Sequence, residues 1–164
     1  RTSVKASLTS LDLSRNSVGG YHENNGYDSD GDEKFKFLAN PTGVRAIAEA
    51  LRVNGSLTEV DLRRNQFGAE GWCSIFDALA KSTMSKISKW ELFTPGRGGE
   101  NIGTEGAKSL AAYLAVSGSL TNLSLANNYI GAYYDDDGLF HSTPEGPKAI
   151  ADALLVNGSL TKLS

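Results

Sequence analysis

Apolar and polar positions follow one register along this chain, L-x-x-L-x-L-x-x-N-x-[IVF]-G, and Leu57, Val60, Leu62, Asn65, Phe67 and Gly68 carry it most completely. It recurs as Leu8, Leu11, Leu13, Asn16, Val18 and Gly19, and again as Leu120, Leu123, Leu125, Asn128, Ile130 and Gly131. A damaged copy runs through Ile87, Trp90 and Leu92 and resumes at Ile102 and Gly103, with Glu100 where asparagine should stand. Leu160 and Leu163 open a fifth. The spacing predicts a short strand in each copy: the last two apolar residues share one face, and the polar residue between them faces the other way. One such strand cannot bury its apolar side alone, so the copies are expected to stack.

The second half of each copy reads as helix. GVRAIAEAL from Gly43 is matched by GWCSIFDAL from Gly71, GAKSLAAYL from Gly106 and GPKAIADAL from Gly146. Ile47 and Leu51, Ile75 and Leu79, Leu110 and Leu114, and Ile150 and Leu154 repeat at the helical i, i+4 spacing. Small residues between them let each helix lie close to its strand.

The register together with a helix of this length resembles the ribonuclease-inhibitor class of leucine-rich repeats, whose units run to about 28 residues. The resemblance covers nearly the whole chain. It implies an α/β fold: a right-handed strand-helix solenoid, a horseshoe fragment with a concave parallel sheet and outer helices. Residues 1–164 form a single array on this reading, with units starting near 8, 57, 87, 120 and 160 and the last one incomplete. In this family the asparagine lies inside the turn and bonds to backbone groups of neighbouring turns, which assigns structural roles to Asn16, Asn65 and Asn128. An amide suits that place because it both donates and accepts. Ionised Glu100 cannot donate, so the third turn is expected to be less regular. Arg1 is not an initiator methionine, and neither end carries a polar capping unit. Solenoids need such caps, so the expectation is a monomeric piece of a longer array.

Successive units begin at 8, 57, 87, 120 and 160, and the intervals of 49, 30, 33 and 40 locate insertions at residues 20–40, 95–99 and 132–143. All three interrupt the path from strand to helix and are expected to project from one edge. The two long ones share G-[GA]-Y-x4-G followed by F-x3-P-x-G, through Tyr21, Gly26, Phe37, Pro41 and Gly43 in one and Tyr133, Gly138, Phe140, Pro144 and Gly146 in the other. They read as one decorated repeat type used twice. Asn40 and Thr143 are expected to cap the following helices, with proline in the first helical position. The aromatic four residues before each proline is expected to pack its loop down. The longer loop is expected to fold back as a hairpin around Asp30 and Gly31.

Charge separates these loops from the scaffold. Composition as a whole is that of a soluble domain, with 40 % hydrophobic residues, 21 % charged residues and a net charge of −3. The long insertions, however, hold Glu23, Asp28, Asp30, Asp32, Glu33, Asp135, Asp136 and Asp137 against only Lys34 and Lys36. DSDGDE fails as a calcium loop: with Gly31 at the sixth position, Gly26 and Phe37 fall where carboxylates are required. Three consecutive aspartates, 135–137, do not converge readily on one ion either. His22 and His141 sit three repeats apart, about 30 Å at ~10 Å per layer, too far for a shared ion. No metal and no cofactor are expected.

No nucleophile, base and orienting group are brought together by the register, and PGRGG around Arg97 lacks the lysine of a phosphate loop, so no catalytic residues are assigned. That stretch reads as a flexible connector. Without a basic stripe, nucleic acid is not an expected partner. No apolar run reaches membrane-spanning length and no signal peptide opens the chain, so no membrane association is expected either. Cys73 is the sole cysteine, which fits a reducing, cytoplasmic setting; it is expected as a small core residue.

What remains is a surface for another protein. The strands would present Ser10, Glu59, Lys89 and Asn122 in one concave column, Asp12, Asp61, Glu91 and Ser124 in the next, and Ser14, Arg63, Phe93 and Ala126 in a third. Asp12, Glu59, Asp61, Arg63, Lys89, Glu91, Phe93, Asn122 and Ser124 are the concave candidates. Tyr21, Tyr133, Tyr134 and Asp135 are the candidates on the loop edge. Either surface favours a partner with a basic face. The resemblance also admits a regulator of a small GTPase, a sensor array in a larger signalling protein, or a structural spacer.

Overall fold

Each apolar triplet forms a three-residue strand, and the strands pair side by side in chain order. In the computed structural model, residues 7–27, 29–31, 33–94, 98–134 and 137–164 are described. β1 (Ser10–Asp12), β4 (Glu59–Asp61), β5 (Lys89–Glu91), β8 (Asn122–Ser124) and β11 (Lys162–Leu163) make one sheet in the order β1-β4-β5-β8-β11, and every pairing is parallel. Between consecutive strands run α1 (Pro41–Val53), α2 (Gly68–Ala80), α3 (Gly103–Val116) and α4 (Glu145–Val156). The register places Ser10, Glu59, Lys89, Asn122 and Lys162 in line, and pairs Asp12 with Asp61 and Glu91 with Ser124, so the two expected columns are present.

The core lies between sheet and helices. Val60, Trp90 and Leu123 enter it from the strands, and Leu51, Ile75, Leu79, Leu110, Leu114 and Ile150 from the helices. Ile47 and Leu154, also expected inward, are only partly buried because they belong to the first and last helices. Aromatic packing concentrates in the middle. Trp72 meets Phe67, Phe76 and Trp90 at ring-centroid distances of 5.2, 5.5 and 6.0 Å, and Phe76 also stacks on Tyr113 at 6.4 Å. Cys73 differs from expectation: it lies on α2 only half-buried, and burial pushes its thiol pKa up against an opposing hydrogen bond with Ser109.

The asparagine turns connect the layers. Asn65 donates through Nδ2 to the carbonyls of Leu13 and Leu62, both at 2.8 Å, and its Oδ1 accepts from the Asn16 and Val18 amides. Asn128 repeats this on Leu92 and Ala126, and accepts from the Glu100 amide at 2.8 Å. The residues flanking the asparagine take a left-handed backbone: Arg15 and Ser17, Arg64 and Gln66, Asn127 and Tyr129. In the third turn only Asn101, after Glu100, does so, which is the irregularity expected there. Glu100 keeps the acceptor half of the role, taking the Arg64 amide at 3.0 Å, and burial raises its carboxyl pKa against that bond. The glycine that closes the register at the start of α2 and α3 has φ of 61° and 63°, values that favour glycine.

All three insertions form antiparallel pairs on the path from strand to helix. β2 (Gly20–Tyr27) pairs with β3 (Glu33–Ala39), β6 (Phe93–Thr94) with β7 (Gly98–Gly99), and β9 (Ala132–Tyr134) with β10 (Phe140–Ser142). The first is the expected hairpin; the other two add pairing that the sequence reading did not include. The long hairpins share their closure, since Asn40 N donates to Gly19 O and Thr143 N to Gly131 O, both at 2.8 Å. From there Gly20, Tyr21 and His22 face Ala39, Leu38 and Phe37, just as Ala132, Tyr133 and Tyr134 face Ser142, His141 and Phe140. Phe37 packs on His22 at 5.2 Å and so holds its loop down, and Phe140 is the more exposed of the two aromatics.

Two local expectations need correction. Asn40 caps α1 through Oδ1, which accepts the Gly43 amide at 3.0 Å, with Pro41 in the first turn. Thr143 does not cap α4, which starts at Glu145 after Pro144; its hydroxyl instead bonds to that of Thr104 at 2.7 Å in the neighbouring repeat. Within PGRGG, residues 95–97 lie outside the described residues, but Gly99 is no mere connector. A Cβ there would collide with the carbonyl of Asn127 in the next turn.

Candidate functional site

Two surfaces carry the sequence candidates: the sheet face turned away from the helices, and the edge where strands lead into helices. On the sheet face, Ser10, Asp12, Glu59, Asp61, Arg63, Lys89 and Glu91 line a shallow depression of about 330 Å³. Lys89, Glu91, Asn122 and Ser124 line a smaller one of about 140 Å³ together with Lys162. The structure brings these candidates together, with one exception: Phe93 lies in β6, outside the five-stranded sheet, and is half-buried.

Charge on this face is largely satisfied from within. Arg63 forks onto Asp61, with Nε to Oδ1 at 3.0 Å and Nη2 to Oδ2 at 2.6 Å. Its Nη1 reaches Glu91 at 3.6 Å and the Phe93 carbonyl at 3.3 Å, and Lys89 closes on Glu91 at 3.0 Å. Burial works to raise the Asp61 pKa, but the Arg63 hydrogen bonds outweigh it and hold the carboxyl below its ordinary value. Two of the three acids in the expected acidic column therefore have cations beside them. Asp12 accepts the Ser14 amide at 2.8 Å, and neither it nor Glu59 makes an ion pair among the described residues.

The edge is different in kind. A cleft of about 840 Å³ lies between the start of α3 and the β9–β10 hairpin; Gly103, Thr104 and Glu105 form one side, Tyr129, Ala132 and Tyr133 the other, and Glu145 closes it. Tyr129 is 52 % exposed and Tyr133 50 % exposed. Tyr133 stacks on His141 at 4.9 Å with nearly parallel rings, which fixes the orientation of its ring. Of the other edge candidates, Tyr21 is exposed on β2. Tyr134 continues β9, and Asp135 lies outside the described residues.

Sequence reasoning missed Tyr129 and Glu145. Tyr129 follows the ladder asparagine, where the other turns carry Ser17, Gln66 and Asn101, and it sits there at φ 52°. A bulky side chain in a left-handed conformation is uncommon, so a tyrosine in that column was the available signal. Glu145 opens α4, where the helix dipole favours an acid; the same holds for Glu70 and Glu105, so position alone did not single it out.

Among the described residues no group of three His, Cys, Asp or Glu is placed to hold a metal ion. His22 and His141 are taken up in ring contacts within separate hairpins. No helix of the described residues is long and apolar enough to cross a membrane.

Residues 4–20 and 53–72 match the sequence family described as Leucine Rich repeat. No curated protein matches the chain. The matched stretches contain β1 and β4, and the strand, ladder asparagine and helix that they begin recur beyond them at β8 and α4. The match and the geometry together support a leucine-rich-repeat protein.

Proposed function

We propose that this array is a non-catalytic protein-interaction module of the ribonuclease-inhibitor-like class, and that it recognises its partner through the strand-to-helix edge. The observation that carries this reading is the cleft beside Tyr129 and Tyr133, where both rings stand about half exposed. Aromatic side chains of this kind are enriched among the residues that carry binding energy at protein interfaces. The open sheet face is the weaker candidate because a partner there would have to compete with the Arg63 and Lys89 ion pairs.

The test is affinity capture from native lysate with the chain as it stands, against a variant in which both long hairpins are cut back to the length of the second unit. Loss of a specific partner on trimming is the expected result. Retention of that partner would move recognition to the sheet face, and Asp61 and Glu91 would be reversed next. Capture of no specific protein by either form would instead favour a spacer.

A further inference from the structure

Asparagine directly precedes glycine at three places, Asn25, Asn54 and Asn157. Such a pair is chemically labile wherever the chain is free to bend, because glycine puts no side chain between its own nitrogen and the preceding carboxamide. The fold treats the three places differently. Asn54 and Asn157 close the C-terminal ends of α1 and α4 and are half-buried. Oδ1 of Asn54 accepts the Ser56 and Leu57 amides at 2.9 and 2.8 Å, and Oδ1 of Asn157 accepts those of Ser159 and Leu160 at 3.0 and 2.7 Å. Asn157 also donates through Nδ2 to the Leu114 carbonyl at 2.7 Å in the neighbouring repeat. Each of these carboxamides is fixed on backbone groups beyond its own glycine and has to give up those bonds before it can react. Asn25 has no such hold. It is exposed on β2, its side chain makes no hydrogen bond among the described residues, and it falls in the irregularity between Asn24 and Tyr27 where the pairing with β3 shifts. Gly26 beside it has φ of 94°, with open space where a side chain would stand. The Gly26 amide donates to Asn24 Oδ1 at 2.8 Å, an exposed contact that water can replace.

We propose that Asn25 is a site of spontaneous deamidation, and that the fold protects Asn54 and Asn157 from the same reaction. The Gly26 nitrogen attacks Asn25 Cγ and forms a C–N bond, and the side-chain amino group leaves as ammonia, carrying the proton that the Gly26 nitrogen gives up. Water then opens the resulting succinimide at one of its two carbonyls, giving aspartate or isoaspartate. Ammonia is released, water is consumed, and no oxidant or cofactor is needed. The product adds a carboxylate to the first hairpin, at the position that corresponds to Asp137 in the G-[GA]-Y-x4-G pattern of the second. The modified edge is one charge more negative, and isoaspartate also inserts a methylene into the backbone of β2. This inference stands on the asparagines alone and is independent of the interaction reading above.

The test incubates the intact chain in mildly alkaline buffer, with a parallel sample unfolded in guanidinium chloride, and follows both by mass spectrometry of tryptic peptides. Cleavage after Arg15 and Lys34, after Arg52 and Arg63, and after Lys148 and Lys162 puts Asn25, Asn54 and Asn157 on separate peptides. Fragmentation of the first peptide distinguishes Asn25 from Asn16 and Asn24, and chromatography separates aspartate from isoaspartate. In the folded chain Asn25 is expected to deamidate at least tenfold faster than Asn54 and Asn157; in guanidinium chloride all three are expected to react at similar rates. Gly26→Ala should slow the reaction at Asn25 several-fold, since the added methyl group obstructs the attacking nitrogen. Equal rates at the three sites in the folded chain, reaction at Asn24 in place of Asn25, or indifference to Gly26→Ala would overturn the proposal. So would a difference between the sites that persists in guanidinium chloride, because local sequence and not the fold would then account for it.

Discussion

On the open sheet face the charges of the second and third turns are largely answered by the fold itself, with Arg63 held between Asp61 and Glu91 and Lys89 closing on Glu91, while Asp12 and Glu59 make no ion pair among the described residues. On the strand-to-helix edge, a few residues further along the same repeats, Tyr129 and Tyr133 stand half-exposed beside an acid with no ion-pair partner among the described residues. The contrast has a physical origin. Strand residues are pinned by the sheet register, so neighbouring columns of opposite charge come within hydrogen-bond reach. Insertions leave the sheet and carry their side chains away from the columns that would neutralise them. A surface that has settled its own charges binds weakly, whereas one with unmatched groups retains free energy for a partner.

The largest expected effect removes both surfaces at once. Asn65→Ala would strip three hydrogen bonds between the first and second turns and one within the second, and at about 1–3 kcal/mol for each buried group left unpaired the total loss is expected to reach about 3 kcal/mol or more. A fall in the urea midpoint of that size, with loss of any binding, checks it; a near-neutral result would mean that water replaces the amide and that the ladder does not hold the surfaces in place.

The double Tyr129→Ala, Tyr133→Ala change comes next and separates the surfaces. Partner binding is expected to drop at least tenfold while the thermal midpoint moves little, because both rings are half in solvent. An equal loss in both measurements would make the tyrosines structural.

Arg63→Ala sharpens the comparison from the other side. It removes the cation from Asp61 and is expected to cost about 1 kcal/mol, since the pair is partly exposed. It also turns the sheet face acidic. Unchanged partner affinity, measured by calorimetry, is expected if the edge binds; tighter binding of a basic partner would return the sheet face to first place.

The smallest effects lie in pH dependence, and they have opposite signs. The Asp61 pKa is lowered in the folded chain, so its contribution is complete above the ordinary carboxylate range, near 3.9 for aspartate, and is lost as pH falls through the depressed value. Glu100 is raised by burial, so folding favours its protonated form: stability is greatest below the ordinary glutamate value of about 4.3 and declines as pH rises through the elevated one. Asp61→Asn should therefore flatten the acid side of a stability profile, and Glu100→Gln should remove the decline on its upper side. Profiles unaltered by either substitution would show that neither carboxyl is coupled to folding.

The strands, the helices and the ladder asparagines were legible because each is a local pattern whose period is set by backbone geometry. The matching hairpins were legible as well, since Tyr21 and Phe37 recur at the spacing of Tyr133 and Phe140 and their registers coincide. The roles of Thr143, Phe93 and Gly99 were not. Thr143 has the sequence of a helix cap, yet Thr104 of the preceding repeat competes for its hydroxyl and α4 starts later. Phe93 has the spacing of a sheet-face residue, yet the following insertion folds back and pairs it with Gly99. Gly99 looks like slack chain until the Asn127 carbonyl is seen to occupy the space of its missing side chain.

The chain's own pattern determined what stacks, and with it the parallel sheet, the asparagine turns and the edge from which the insertions leave. Only the tertiary structure decided which charges are spent and which are available. Whether Asp61 is a binding residue or half of an ion pair depends on where the Arg63 guanidinium turns, and Tyr129 stands at the surface on its own left-handed backbone, at φ 52°. Periodicity records the face on which a residue lies; its neighbours across the repeat interface, distant in sequence, settle what that residue has left to offer.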